Sequence, residues 1–255
     1  MATEPDFLRA VLAGPDADGP RLTYAAWCDS QPDPGLKARA EFIRWQLKAH
    51  QSRQPQSEPA LQAAKWLEVH RDPWLGELKG LASNVEYYRG FAERVTVAAK
   101  NWRDLSARIR RLAPVRHLDL TDVRGYFPDV IKSEAMRGVR SLMIRNQGLR
   151  DADLEALAES PFLEELRWLN ITGNQATENG AAALAQSKSL PALKWVNFFG
   201  NPFEPNERYS HDQGQVVESW MPEEAIALEL RFGRLEWLRH PAAHLWDTEP
   251  NRFTI

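Results

Sequence analysis

One nine-residue phrase occurs twice in this chain. Leu166-Arg-Trp168-Leu169-Asn170-Ile171-Thr-Gly173-Asn174 returns 27 residues later as Leu193-Lys-Trp195-Val196-Asn197-Phe198-Phe199-Gly200-Asn201. Each copy has apolar residues at offsets 0, +3 and +5 and Asn at +8. A phrase recurring at this interval is the mark of stacked units, none of which buries its apolar face alone. The same apolar offsets, without the full phrase, start at Ala92, Val115 and Val139, so five starts are separated by 23, 24, 27 and 27 residues. The +8 place holds Lys100, Val123, Gln147, Asn174 and Asn201 in turn. An Asn there can bond the backbone of the turn leaving each strand, where ladder bonds end.

Between the strands lie segments with one apolar stripe each, 151–160 (Leu154, Leu157, Ala158) and 176–186 (Ala181, Leu184, Ala185). Strand followed by helix, with Leu166 to Asn174 leading into Asn179-Gly180-Ala-Ala-Ala-Leu-Ala185, resembles the ribonuclease-inhibitor-like class of leucine-rich repeats. The resemblance implies an α/β solenoid with a parallel sheet on its concave side and helices on its convex side. Offsets +3 and +5 then point inward, and +2, +4 and +6 outward. The outward rows are Arg94, Thr96, Ala98; His117, Asp119, Thr121; Ser141, Met143, Arg145; Trp168, Asn170, Thr172; and Trp195, Asn197, Phe199. Neighbouring parallel strands are ~4.8 Å apart, so equivalent positions stack into columns, with Trp168 beside Trp195.

The first 50 residues read as helices. Phe7, Leu8, Val11 and Leu12 share a helical face, and Gly14-Pro15 ends it. Asp16-Ala-Asp18-Gly19 has part of a calcium loop but lacks the later ligands and the closing Glu, so it reads as a turn and helix cap. Leu22, Tyr24, Ala25, Trp27 and Cys28 form a second apolar segment, and a third helix spans 36–50. Asp6 to Ala13, Pro15-Asp16, Pro20-Arg21-Leu22-Thr-Tyr24-Ala25-Ala-Trp27 and Arg39-Ala40-Glu41-Phe42-Ile43-Arg44 together resemble the bacterial repeat-companion domain. The usual acid between the Tyr-Ala pair and Trp is here Ala26. That family implies architecture and no catalysis. Residues 51–60 read as a polar linker, followed by a helix with Leu61, Ala64, Leu67 and Trp66 inward. Trp74, Leu75, Leu78 and Leu81 read as a seal before the first unit.

After Asn201 the pattern changes. Residues 202–214 read as a long polar loop, and from Pro222 a helix carries Ile226, Leu228, Leu230 and Phe232. Leu235, Trp237, Leu238, Leu245 and Trp246 then read as an end cap. The expected organisation is a helical module with linker over 1–82, about five repeats and the following loop over 83–214, and a helical cap over 215–255.

Composition excludes several functions. The chain has 255 residues, 43% hydrophobic and 26% charged, which is a globular balance. A net charge of −3 speaks against nucleic acid as a partner, and the short cluster Arg108, Arg110, Arg111 reads as a solvated helix face. No apolar window approaches the ~18 residues of a membrane span. The single Cys28 rules out an intrachain disulfide and reads as a buried, inert thiol. With no basic or apolar leader at the start, the expectation is the cytoplasm. His240 and His244 are four apart with Pro241 between them and no third ligand near, so no metal is expected. His117 and Asp119 share a strand face but lack a nucleophile, and read as a solvated pair. No cofactor and no catalysis are expected. The expected activity is non-enzymatic binding of a protein partner on the concave sheet. Trp168, Trp195 and Phe199 would be its anchors, flanked by Met143, Arg145, Asn170, Asn197, His117 and Asp119. Two alternatives stay open: an immunity protein or inhibitor that neutralises a bacterial toxin, and a self-closed structural or assembly module.

Overall fold

The computed structural model describes residues 3–52, 54, 56–206, 208–212 and 215–238. They form an α/β protein with a six-stranded, mostly parallel sheet and a separate two-stranded one. The described residues divide into two compact units, one holding residues up to 96 with 105–115, the other 97–104 and 116–238. The division at 96 leaves the first strands with the helical module, whereas the sequence reading drew its boundary at 82.

The first unit contains α1 (Glu4–Ala13), α2 (Asp18–Ser30), α3 (Pro34–Ser52) and α4 (Glu58–Leu75), a 3-10 turn at Gly76–Gly80, and the strands β1 (Asn84–Tyr88) and β2 (Phe91–Ala98). The helices run further than the sequence suggests, so the connection expected over 51–60 shrinks to a few residues before Ser57, the N-cap of α4. On α4 only Ala63 is fully buried, while Leu61 and Ala64, expected inward, are exposed. The largest departure is β1, which the sequence reading missed. It pairs antiparallel with β2, Val85 opposite Val95. The segment starting at Ala92 thus has, besides its neighbour β3, an antiparallel hairpin partner that the repeat offsets do not announce. Lys100, expected at its turn, lies in α5 (Ala99–Leu112). The cause is Arg89-Gly90, with φ of 48° and 88°. Two consecutive residues in the left-handed region make the tight turn that joins antiparallel strands.

That turn is inserted among the helices. The Gly90 N–H donates to Gln46 Oε1 at 2.7 Å, and a Cβ at Gly90 would lie 2.8 Å from Ile43 Cα. Arg21, wholly buried, donates to the carbonyls of Pro15, Tyr88 and Arg89 and pairs with Glu93 at 2.8 Å. Arg89 donates to the carbonyls of Pro15 and Asp16. Tyr24 meets Phe91 edge-on at 5.3 Å, within a core of Val11, Ala25, Cys28, Ala40, Ile43 and Leu47. Of the Asp16 to Gly19 stretch, Asp16 lies in the turn before α2 while Asp18 and Gly19 open the helix, without an Asp cap. The N-cap is Ala17, and Asp18 lies 3.8 Å from Arg89.

The second unit continues with β3 (His117–Thr121), α6 (Phe127–Ile131), β4 (Ser141–Met143), α7 (Asp151–Ala158), β5 (Trp168–Asn170), α8 (Glu178–Gln186) and β6 (Trp195–Asn197). The strands β3 to β6 are parallel and in register, Leu118, Leu142, Leu169 and Val196 forming one row. That row and the next, Leu120, Ile144, Ile171 and Phe198, are at most 1% exposed. The Asn expectation holds in detail. Asn174 donates to the carbonyls of Ile144 and Ile171 and accepts from the N–H groups of Gln147 and Leu149. Asn201 repeats this one unit on, donating to Ile171 and Phe198 and accepting from Ala176. A second periodic column was not read from the sequence. Ser160 and Ser187, 27 apart, donate to the carbonyls of Ile131 and Ala158 and tie each unit to the one before it.

Beyond β6 the expected long loop over 202–214 contains a strand. β7 (Arg208–Asp212) pairs antiparallel with β8 (Gln215–Trp220). Before it, Asn206 accepts from the Phe198 N–H at 2.9 Å and donates to the Val196 carbonyl at 2.6 Å, so side-chain amides satisfy the outer edge of β6. In α9 (Glu223–Phe232) Ala225 and Leu228 are buried, while Ile226 and Leu230 are exposed. The helix expected from Pro222 is there, and its apolar residues, at every second place, scatter around it. Leu235, Trp237 and Leu238 are buried, with Trp237 6.0 Å from Phe198. Leu245 and Trp246, like His240 and His244, lie outside the described residues.

Two substitutions test these supports. Gly90→Ala combines a positive φ with a backbone collision and should cost about 3 kcal/mol or more, while Gly80→Ala, with open space around it, should be near neutral in urea unfolding. Asn174→Ala strands buried backbone donors and acceptors and should cost about 3–5 kcal/mol, more than Asn201→Ala, which breaks fewer bonds.

Candidate interaction surface

The register places the expected surface residues in three columns. The first is His117, Ser141, Trp168 and Trp195. The second is Asp119, Met143, Asn170 and Asn197. Two residues further along each strand, Arg145, Thr172 and Phe199 continue the pattern at +6. Column membership follows the sequence reading, but accessibility does not follow from it.

The first two columns are largely closed. Trp168 and Trp195 are 9% and 6% exposed, and His117, Ser141, Met143, Asn170 and Asn197 are also buried. His117, Met143, Trp168 and Trp195 are all engaged within the chain. The two asparagines are turned to local work: Asn170 Oδ1 accepts from the Thr172 N–H at 3.0 Å and Asn197 Oδ1 from the Phe199 N–H at 2.8 Å, the Asx-turn pattern. Asp119 is half-buried and lies 3.7 Å from Arg145, two residues past the end of β4, as an ion pair between neighbouring units.

The third column is open. Phe199 is 62% exposed and Arg145 is 37% exposed at its side chain. An apolar ring left in water just past the last parallel strand has no counterpart in the buried columns. Its exposure follows from the strand's end. Gly200, with φ of 72°, turns the chain there, and its N–H donates to Glu204. The residues that hold this rim, Glu204 and Asn206, were not read from the sequence. Their only signal was their place in the polar stretch after Asn201.

Among the described residues no group of three or more His, Cys, Asp or Glu could hold a metal ion. Nor, among the same residues, is any helix long and apolar enough to cross a membrane. Cys28 is fully buried beside Tyr24, and burial pushes its thiol up to about 11, against a smaller opposing pull from the Arg39 cation. Comparison of the chain with protein-family models, with curated proteins and with solved structures gave no match.

The Cys28 environment gives a measurable consequence. The thiol should be silent to a disulfide reagent in the native protein and react stoichiometrically on unfolding. The folded thiol holds its proton more tightly than the unfolded one. That contribution to stability is therefore complete below pH about 9 and is lost as pH rises toward about 11. Urea midpoints across that range, compared with Cys28→Ala, check the sign.

Proposed function

We propose that the chain is a bacterial leucine-rich-repeat protein of the ribonuclease-inhibitor-like class with an N-terminal repeat-companion module. In this reading it acts in the cytoplasm as a non-enzymatic scaffold that binds a protein partner. The repeat assignment is supported by the in-register parallel strands of the second unit and by the Asn174 and Asn201 side-chain bonds recurring 27 residues apart. The binding assignment rests on one observation, the exposure of Phe199 at 62% on the outward side of the sheet, with Arg145 in the same column. Aromatic rings and arginine are the residue types that dominate interface energetics. The anchor thus moves from the tryptophans to Phe199. Trp168 and Trp195 brace the sheet from within the chain.

Their burial also supports the second reading, a self-closed structural or assembly module. The narrower form of the first, neutralisation of a toxin or enzyme, rests on analogy between repeat classes alone. A pull-down with the wild-type chain, Phe199→Ala and Trp168→Ala separates the two main readings. For a scaffold, Phe199→Ala should lower partner recovery at least tenfold with an unchanged Tm, a loss of about 1.4 kcal/mol or more. Trp168→Ala should lower Tm. Unchanged recovery with Phe199→Ala would sink the scaffold reading in favour of the self-closed module.

A further inference from the structure

The outward face of the parallel sheet is closed although the helices lie on its other side. The crossovers from β3 to β6 join neighbouring parallel strands, and their common right hand puts α6, α7 and α8 on one face. That face carries the inward rows that end at Val196 and Phe198. The first two outward columns lie on the opposite face, yet Trp168 is 9% exposed, Trp195 6% and Ser141 0%. Neighbours on strands ~4.8 Å apart shield the flanks of a side chain and leave its outer surface bare. An indole so nearly lost to solvent in such a column has something laid over it. His117, Met143, Trp168 and Trp195 all have partners within the chain.

The elements after β6 are engaged elsewhere. Helix α9 packs beside α8, on the helix side. The turn at Glu236–Leu238 packs at β6, with Trp237 against the inward Phe198. The strands β7 and β8 pack chiefly on each other. The described residues end at Leu238, which is buried at this same end of the sheet, and residues 239–255 follow it in the sequence. Leu245 and Trp246 form an apolar pair in that stretch. The seven residues 239–245, extended, span up to roughly 23 Å, against roughly 10 Å from β6 to β4. Charge points the same way. Arg116, Arg140, Arg167 and Lys194 directly precede the members of the first column, and Arg116 and Arg140 share one carboxylate, Glu165, at 3.4 Å each. Asp247, next to Trp246, has the opposite sign.

We propose that the segment 239–247 of the same chain lies across this face, with Leu245 and Trp246 covering Trp168 and Trp195 and Asp247 answering the row of cations. The inference rests on the self-closed reading and names what closes the face. Phe199, two residues beyond the covered columns, stays outside the cover. A partner that uses the wider face must first displace Leu245 and Trp246, so the segment is a built-in competitor.

Fluorine NMR of the full chain carrying fluorotryptophan tests it, with a soluble nitroxide as the probe of accessibility. Single Trp→Phe substitutions assign the signals of Trp168, Trp195 and Trp237. In the wild-type monomer all three should resist broadening. Leu245→Ser/Trp246→Ser should leave Trp237 sharp, while the Trp168 and Trp195 signals are lost to the nitroxide. Asp247→Lys, which keeps the apolar pair, should broaden the same two signals at low salt. Continued protection of Trp168 and Trp195 in the double variant overturns the proposal and leaves self-closure standing, with β7 and β8 as the cover. If Trp237 broadens as well, that variant has lost its fold and Asp247→Lys decides, unchanged protection there overturning the proposal. Broadening of Trp168 and Trp195 in the wild-type monomer overturns self-closure too, and protection that appears only on self-association then assigns the cover to a second copy.

Discussion

A strand of three residues leaves most of the backbone around it without a ladder partner. In this chain β4, β5 and β6 are each that short. The polar groups just beyond each strand are buried, and an unpaired buried N–H or carbonyl costs about 1–3 kcal/mol. Asn174 and Asn201 resolve this by reaching across units, one amide serving carbonyls of its own and the preceding turn. The serine column does the same on the side where the helices end. Stacking therefore depends on side chains that finish what the backbone begins. The outermost strands meet the same constraint, with Gln46 and Arg71 at β1 and Asn206 at β6 occupying edge groups that would otherwise template another chain.

The first unit solves a different problem. Four arginines, Arg21, Arg39, Arg89 and Arg94, are buried in it, the last with Glu86 at 3.4 Å. A buried charge is tolerable only when its surroundings replace water. For Arg21 and Arg89 the replacement is Glu93 and a ring of main-chain carbonyls, which also fixes the hairpin turn among the helices. Burial raises the Glu93 carboxyl despite both cations, the sign expected for a carboxylate held deep in a core. For Arg39 the replacement is aromatic faces, which balance charge and leave donors idle.

Much of the second unit was legible in the sequence because its signal is periodic. The offsets that put Leu142, Leu169 and Val196 in one row also put Trp168 beside Trp195, and both relations hold. At the first start, Ala92, the offsets gave no sign of the antiparallel partner β1. Alternation tells which face a residue takes and nothing about the direction of its neighbour, so a hairpin and a parallel unit look alike until the turn is read. Arg89-Gly90 was that turn, and an Arg in the left-handed region gives little warning. The helix expected after Pro222 is α9, and the two-residue spacing of its apolar residues leaves Ile226 and Leu230 outside the packed stripe.

The sequence by itself determined the unit length, the inward rows, the Asn positions and the column to which each outward residue belongs. All of these follow from the fixed geometry of strand and turn, which acts over a few residues. Only the tertiary structure decided which columns stay open. Burial of Trp168 and Trp195, exposure of Phe199 and the aromatic enclosure of Arg39 each depend on groups far away in the chain, and no local pattern encodes such distances. The same side chain can be an anchor for a partner or a brace for its own fold. The difference is set by what else the chain brings within a few ångströms of it.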